Sequence, residues 1–256
     1  GPHNRANAGE LISEVELNGT NVIFTTTGLE GNALIAAKDA SGTILWSWHI
    51  WCTDNPVDHK YVNSKGTFIV QDRHLGAIRG DKGTGDEWKE SVGFEYQWGR
   101  KDPLVGGVLT HTSESCTLEK TIQNPTVIYD SRVPESKLWL TDEKTMYDPC
   151  PVGYHVAPLD IWADFSVSKT YGIFDYGWHF YYNDTGYAWY PVKGRGTQWG
   201  YDYWWDSYMT SSSPNNKGFY FSSNYVSANH AWSAEGYDQL RCMRTNLVNI
   251  NISTKE

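Results

Sequence analysis

Residues 32–51, NALIAAKDASGTILWSWHIW, contain two apolar segments separated by turn-forming residues. The segments are 32–39 and 44–51, and the sequence at 39–42, which leads from one to the other, is DASG. In the second segment bulky apolar residues alternate with polar ones only in part, which indicates a strand covered on both faces. A short connection with Asp and Gly between two such strands predicts a β-hairpin.

Short strands and few helices are expected outside this hairpin. Residues 22–27 form a β-branched run that predicts another strand. The periodicity typical of helices is weak, and short helices are expected at Ser131–Leu140 and at Leu159–Phe165. The second of these follows Pro158, and proline is well tolerated where a helix begins.

One domain is the simplest organisation for this chain. No internal repeat or low-complexity linker interrupts it, which favours a single domain over residues 15–245. We interpret residues 1–14 as a tag remnant with a disordered lead-in, and residues 246–256 as a C-terminal strand or tail. No run of about 18 apolar residues occurs, so no direct membrane span is expected.

The composition is that of a soluble, acidic protein rich in aromatic residues. The formal net charge is -9, and Lys and Arg form no cluster. A nucleic-acid partner is therefore not expected, because such proteins need a basic surface to neutralise phosphates. The chain has 13 Trp and 17 Tyr, residues enriched both in large β-rich cores and at ligand-binding surfaces.

Several short peptides carry a resemblance to a known family. They are Trp46–Trp51, Gln71–Ala77, Tyr96–Pro103, Tyr147–Tyr154, Thr210–Ser213 and Leu240–Arg244. In order and spacing they resemble the Fibrobacter succinogenes major paralogous domain, a family common in surface proteins of Bacteroidetes. The resemblance covers roughly residues 20–245 and rests on the ordered set rather than on any one peptide.

The resemblance implies an α+β, C-type-lectin-like fold, rich in loops, with short antiparallel strands and few short helices. It also implies a secreted or cell-surface location, associated with the outer membrane or with fimbrial tips. Some similar proteins are the variable products of diversity-generating retroelements, whose diversified codons begin as Asn. The residues that suit such a pattern are Asn183, Asp184, Asn224, Tyr225, Asn229 and His230.

The four cysteines are expected to form disulfides, since an even number in an exported protein usually does. Cys150 and Cys242 both belong to the family-like peptides, so the resemblance favours their pairing. Cys52 and Cys116 then remain as a second bridge, although the family usually has an apolar residue at the position of Cys52. The alternative is four free, buried thiols.

Neither a catalytic residue, a metal site nor a cofactor is expected, and the protein is predicted not to be an enzyme. The sequence has no HExxH pair, phosphate-binding loop or GxSxG element. It also has no CxxC pair for zinc and none of the sugar-binding calcium motifs of C-type lectins. Enzymes of the related formylglycine-generating fold need paired reactive cysteines, whereas these four are scattered.

The aromatic segment from about residue 181 to 235 is the candidate binding surface. Rigid rings supply contact area at low entropic cost, and Asn, Asp and Ser add adaptable hydrogen bonds. The alternative is that these rings fill a loop-rich core, and we expect Trp178, Trp189 and Phe219–Phe221 inside. The predicted ligand-binding residues are Tyr181, Asn183, Asp184, Tyr201, Tyr203, Trp204, Asp206, Asn224, Tyr225, Asn229, His230 and Trp232.

Histidines have two expected roles. His179 and His230 lie in the aromatic segment and are further candidates for ligand contact. His49 lies in an apolar strand, where a hydrogen-bonded core histidine is the more common case.

These observations together predict an adhesin-like module that binds a protein or a glycan on a host or bacterial surface, with fimbrial subunits as further partners. Two alternatives remain open. One is a carbohydrate-binding module of a polysaccharide-utilisation protein. The other is a structural pilin subunit, in which Leu247–Ile252 would be donated as a strand because its apolar residues alternate.

Overall fold

A computed structural model describes residues 3–104, 110–135, 137–140, 143–192, 195–197, 200–202, 205–209, 217–231 and 237–245. For 195–197, 200–202, 205–209 and 217 it describes the backbone alone. These residues form mostly antiparallel β-strands with few short helices, in a β-sandwich-like arrangement. The predicted α+β, C-type-lectin-like fold class is therefore wrong. The β-branched and aromatic residues of these segments favour pleated, half-buried strands over helices.

The first half of the described chain contains two hairpins and the long strands of a larger sheet. One two-stranded sheet pairs β1 (Ile12–Asn18) with β2 (Asn21–Thr26), and another pairs β3 (Gly31–Lys38) with β4 (Ile44–Cys52). A four-stranded sheet has the order β10-β20-β6-β5. Its strands are β5 (Asp58–Asn63), β6 (Gly66–His74), β10 (Tyr154–Val156) and β20 (Arg241–Arg244).

The second half supplies most strands of the other sheets. A three-stranded sheet contains β11 (Thr170–Tyr171), β12 (Gly177–Tyr181) and β13 (Tyr187–Pro191). A five-stranded sheet has the order β18-β17-β16-β19-β7. Its strands are β7 (Glu95–Gln97), β16 (Trp205–Met209), β17 (Lys217–Ser222), β18 (Val226–Ala231) and β19 (Tyr237–Gln239). Two short pairs remain, namely parallel β8 (Thr110–Thr112) with β9 (Val127–Tyr129), and β14 (Arg195–Thr197) with β15 (Gly200–Asp202).

Helices are short throughout the described residues. The α-helix α1 spans Leu118–Gln123, and its first turn is capped by the Thr117 hydroxyl, which accepts a hydrogen bond from the Lys120 amide. The 3-10 helices are Gly85–Ser91, Leu159–Trp162 and Val167–Lys169. No described helix has the length and apolar character required to cross a membrane.

The sequence predictions for local elements have mixed outcomes. The hairpin of β3 and β4 and the strand at β2 are confirmed. The helix predicted over Leu159–Phe165 is present as a 3-10 turn, whereas the helix predicted over Ser131–Leu140 is wrong. Pro134 disfavours helical backbone at the residue before it, and Leu138 and Trp139 are instead buried in the core. β1 begins at Ile12, inside the lead-in predicted to be disordered, and Leu11 is buried beside it.

One aromatic core lies between three of the sheets. Tyr61 of β5, Tyr190 of β13 and Phe219 of β17 are each fully buried in it. Trp162 stacks on Phe219 with ring centroids 5.2 Å apart. Because the three sheets turn their apolar faces toward one another, this part of the molecule packs as sheets do in a sandwich.

A second core joins the family-like peptides. The Ser47 hydroxyl donates to Asp102 at 2.8 Å, and the Tyr96 hydroxyl lies 3.2 Å from Nδ1 of His49. Cys150 and Cys242 form a disulfide, which confirms that pairing. The described peptides thus form one framework, while Thr210–Ser213 lies outside the described residues.

Cys52 and Cys116 are free thiols, so the second predicted bridge is wrong. Cys52 ends β4 at a half-buried position, whereas Cys116 precedes α1 and is buried in the second core. The two thiols lie in different surroundings and are not bonded to each other.

Candidate functional site

The sheet of β11, β12 and β13 has one buried face and one face that carries exposed tyrosines. Alternation along a strand sends successive side chains to opposite faces. Trp178 and Phe180 therefore enter the aromatic core, and His179 and Tyr181 point to the other side. In β13 the core residues are Ala188 and Tyr190, with Tyr187 and Trp189 on the opposite face.

Four rings on the outer side, Tyr171, His179, Tyr181 and Tyr187, form a cluster that we call the tyrosine face. Tyr171 and Tyr187 stack nearly parallel, with ring centroids 4.6 Å apart and planes 9° apart. His179 and Tyr181 each meet Tyr187 edge-on, at centroid distances of 5.3 and 6.0 Å. Tyr171 is 50% exposed and Tyr187 43% exposed. The strands thus hold two large rings in fixed positions at the surface.

The β12–β13 turn explains why Tyr181 and Tyr187 face each other. Asn183 accepts hydrogen bonds from the amides of Thr185 and Gly186 at 3.0 and 2.6 Å, as Asn commonly does in turns. Tyr181 and Tyr187 are then cross-strand partners. The Asn183 carbonyl is therefore used by the turn, while Asp184 is exposed at its tip.

A groove of about 450 Å³ adjoins the tyrosine face, and we call it the Arg73 groove. Trp189 is almost fully buried within it, and its indole N–H donates to the Ser91 hydroxyl at 2.8 Å. The lining residues are His3, Asp54, Val57, His59, Asp72, Arg73, Arg79, Gly80, Asp81, His179, Tyr187, Ala188 and Trp189. Tyr187 and His179 belong to both the tyrosine face and the groove.

Both arginines of the groove are held by carboxylates. Arg73 is buried and donates to Asp72 through Nε at 2.9 Å and Nη2 at 3.1 Å, and through Nη1 to Asp54. Arg79 donates to Asp81 at 2.6 Å. Burial by itself lowers the pKa of Arg73, but hydrogen bonds and charges from Asp72 and Asp54 outweigh it and raise the pKa. The carboxylates of Asp54 and Asp81 remain 60% and 73% exposed, so each still offers lone pairs to a ligand.

Two of the histidines that line the groove, His59 and His179, favour the neutral form. Burial is the main cause that lowers the pKa of His179, and the nearby Lys82 charge lowers it further. Burial also lowers the pKa of His59, which Arg241 reinforces and Asp72 partly opposes. At neutral pH both rings therefore act as uncharged donors and acceptors.

A second group of rings lies on the hairpin of β17 and β18. It consists of Tyr220, Tyr225 and His230, and we call it the hairpin cluster. Tyr220 stacks on His230 with centroids 4.7 Å apart and lies 5.8 Å from Tyr225. Tyr225 is 51% exposed, and Asn224 and Asn229 are also exposed. The structure thus brings four predicted site residues, Asn224, Tyr225, Asn229 and His230, onto one hairpin.

The structure describes the side chains of none of the remaining predicted site residues. Tyr203, Trp204 and Trp232 lie outside the described residues. Tyr201 and Asp206 lie in β15 and β16, where the described part is the backbone. The predicted burial of Trp178, Trp189, Phe219 and Phe221 is confirmed, while Tyr220 between them is half-buried.

Sequence reasoning missed Tyr171, Tyr187 and most of the Arg73 groove. The signal for Tyr187 was present, because the turn-forming Asn183-Asp184-Thr185-Gly186 predicts a hairpin that places Tyr187 opposite Tyr181. The groove residues Asp54, Arg73 and Arg79 come from a distant part of the chain, and no local pattern links them to β13.

Among the described residues, no group of three or more His, Cys, Asp or Glu side chains is arranged to hold a metal ion. Comparison of the chain with family models, with characterised proteins and with solved structures finds no match.

Proposed function

We propose that this chain is a non-catalytic binding module of a cell-surface or fimbrial-tip protein, and that the tyrosine face is its contact surface. The observation that carries the proposal is the parallel stack of Tyr171 and Tyr187, two rings that are both about half exposed on the same sheet face. Tyrosines fixed in this way lose little entropy on binding and are enriched at the centres of protein and glycan interfaces.

The segment between β11 and β12 and the hairpin cluster add further exposed side chains. Ile173, which follows β11, is 83% exposed, and Tyr176 before β12 is 46% exposed. The hairpin cluster, with Tyr225 and Asn224 at its tip, offers a second patch of the same composition.

The proposed cellular context follows from the framework and from the family-like peptides. A disulfide between Cys150 and Cys242 is suited to an oxidising compartment, because cytosolic thiols are kept reduced. The ligand we propose is a protein or a glycan on a host or bacterial surface. The candidate diversified residues Asn224, Tyr225, Asn229 and His230 lie together on the hairpin of β17 and β18, as a variable binding surface would require.

The experiment titrates labelled protein on arrays of immobilised glycans and of extracellular proteins. A Tyr171→Ser/Tyr187→Ser variant should weaken the binding of any captured array ligand about tenfold or more, since both central rings are lost. The matched control is Val152→Ser, which removes an apolar side chain that is 93% exposed in the segment 147–154.

Circular dichroism and thermal unfolding establish that both variants keep the fold. Equal binding by the double variant and by the control would contradict the proposal. Turnover of any array compound by the wild-type protein would contradict the non-catalytic role.

A further inference from the structure

The Arg73 groove combines aromatic and polar walls in a way that selects a chemical class of ligand. Tyr187 contributes a ring that is 43% exposed, and Trp189 contributes one that is almost fully buried. Asp54 and Asp81 present exposed carboxylates, each held in place by an arginine. Its volume of about 450 Å³ is within the usual range for small-molecule sites.

The charges in the groove argue against an ionic ligand. Asp54 and Asp72 share Arg73, and Asp81 pairs with Arg79, so both guanidinium groups are already engaged. An anion would meet three carboxylates with no free cation among these pairs. A cation would compete with the arginines, whose ion pairs are short and partly buried.

Paired carboxylates still accept hydrogen bonds. Each carboxylate has about four lone-pair positions, and an arginine uses at most two of them. Hydrogen bonds to ionised acceptors are about twice as strong as neutral ones, so hydroxyl donors are favoured ligands for Asp54 and Asp81. Because the arginines fix both carboxylates beforehand, little side-chain entropy remains to be lost on binding.

His59 adds a polar atom that lacks a partner in the described part of the chain. Its ring lines the groove and stacks on Tyr182 with centroids 4.7 Å apart, and its buried Nδ1 makes no hydrogen bond there. A buried nitrogen without a hydrogen-bond partner costs free energy.

We infer that the Arg73 groove is a subsite for an uncharged sugar unit of a glycan, with the Tyr187 ring against the apolar face of the sugar and Asp54 and Asp81 accepting its hydroxyls. A sugar ring has one C–H-rich face and an edge of hydroxyl donors, which suits a lining that combines aromatic rings with carboxylates. The inference rests on the proposed function, because the tyrosine face would carry the adjoining part of the ligand.

The test uses the glycan array with neutral oligosaccharides and with matched oligosaccharides that end in sialic or uronic acid. The neutral oligosaccharide with the strongest signal on the array is then studied by calorimetry. Its dissociation constant is measured for the wild type and for the variants Asp81→Asn, Tyr187→Ala and Tyr171→Ser. Asp81 lines the groove without belonging to the tyrosine face, and Tyr171 belongs to the tyrosine face without lining the groove. The matched control is Asp86→Asn, since Asp86 is an exposed carboxylate paired with Lys89 at 2.8 Å outside the groove.

We expect neutral oligosaccharides to bind, and Asp81→Asn and Tyr187→Ala to raise the dissociation constant about tenfold. The control Asp86→Asn should stay within about twofold, and thermal unfolding should be unchanged for both Asn variants. Binding restricted to acidic glycans or to basic peptides would overturn the uncharged class. Neutral binding that Asp81→Asn leaves unchanged would overturn the groove as the site.

The same data separate this inference from the proposed function. Capture of a protein ligand that weakens in Tyr171→Ser, together with no bound glycan, would retain the tyrosine face and overturn the sugar subsite. No binding to either array would overturn both.

Discussion

The sulfur atoms of Cys150 and Cys242 are bonded across 92 residues of sequence, and their Cα atoms lie 5.7 Å apart. The bond joins the segment before β10 to β20, and these two strands also pair through Val156 and Cys242. Leu240, next to β20, accepts a hydrogen bond from the Leu75 amide at 3.0 Å. Distant parts of the chain are thus held together at one point of the second core.

Removing this disulfide should lower the unfolding free energy substantially. A Cys150→Ser/Cys242→Ser variant loses the restraint on a long loop of the unfolded chain, which corresponds to about 4 kcal/mol of unfolding free energy. Urea unfolding followed by Trp fluorescence measures the loss. Cys52→Ser is the control, because Cys52 is half-buried and unbonded, and a similar loss in the control would refute the assignment.

The two free thiols should react more slowly in the folded protein than in an unfolded chain. Burial raises the pKa of Cys116 to about 11 and also raises the pKa of Cys52, so little reactive thiolate exists at pH 8. We expect slow labelling of the native protein by a thiol reagent, slowest at Cys116. Denaturation without reductant should expose both thiols rapidly, and the absence of any free thiol would show that Cys52 and Cys116 are bridged.

The phenol of Tyr190 should matter more for stability than an exposed phenol does. The hydroxyls of Tyr61 and Tyr190 lie 2.9 Å apart, and the Trp162 indole N–H donates to Tyr190 at 3.0 Å. Tyr190→Phe removes this oxygen from a fully buried site and should lower the unfolding free energy by about 1 to 3 kcal/mol. Tyr171→Phe on the tyrosine face serves as control and should change it by less than about 0.5 kcal/mol. Equal effects of the two changes would contradict the buried network.

His49 should make stability depend on pH. Its Nε2 lies 2.8 Å from the Asn32 side-chain oxygen and its Nδ1 3.2 Å from the Tyr96 hydroxyl, an arrangement suited to the neutral ring. Burial lowers the pKa of His49 from 6.5 to about 4. Between these pH values the unfolded chain binds a proton that the folded chain does not, so stability falls as pH is lowered through this window.

The expected contribution of His49 is at most about 3 kcal/mol, which is fully present above pH 6.5 and lost by about pH 4. Urea unfolding of the wild type and of His49→Gln at several pH values measures it. The difference between the two proteins should shrink as the pH falls, because Gln does not titrate. A difference that is constant with pH would contradict a buried neutral His49.

Local chemistry in the sequence predicted several elements correctly. The side chain of Asp39 accepts hydrogen bonds from the amides of Ser41 and Thr43, both at 2.9 Å, so this turn is specified by its own residues. The pairing of β3 with β4 follows from it. The expected burial of Phe219 and Phe221 was also correct, whereas Tyr220 between them, expected inside as well, is half-buried. Such features depend on residues close in sequence.

Features that need long-range packing were predicted less well. The fold class was wrong, because the described residues form mostly antiparallel strands in a β-sandwich-like arrangement rather than the α+β, C-type-lectin-like fold that the resemblance implied. The segment at Ser131–Leu140 was expected to form a helix, yet Val133 and Trp139 pack into the second core without one. Apolar residues in a short segment indicate which side chains are buried. They do not decide whether a helix or an irregular segment carries those side chains.

The sequence by itself determined several strand-forming segments, the turn at Asp39 and the acidic charge, and its resemblance to a known family favoured the pairing of Cys150 with Cys242. Only the tertiary structure decided that Tyr171 stacks on Tyr187 and that Arg73 and Asp81 line a groove beside them. The physical reason is how far apart along the sequence the interacting residues lie. Turn and strand preferences arise between neighbouring residues, whereas a surface site is made when sheets far apart in sequence bury their apolar faces and leave their opposite faces side by side.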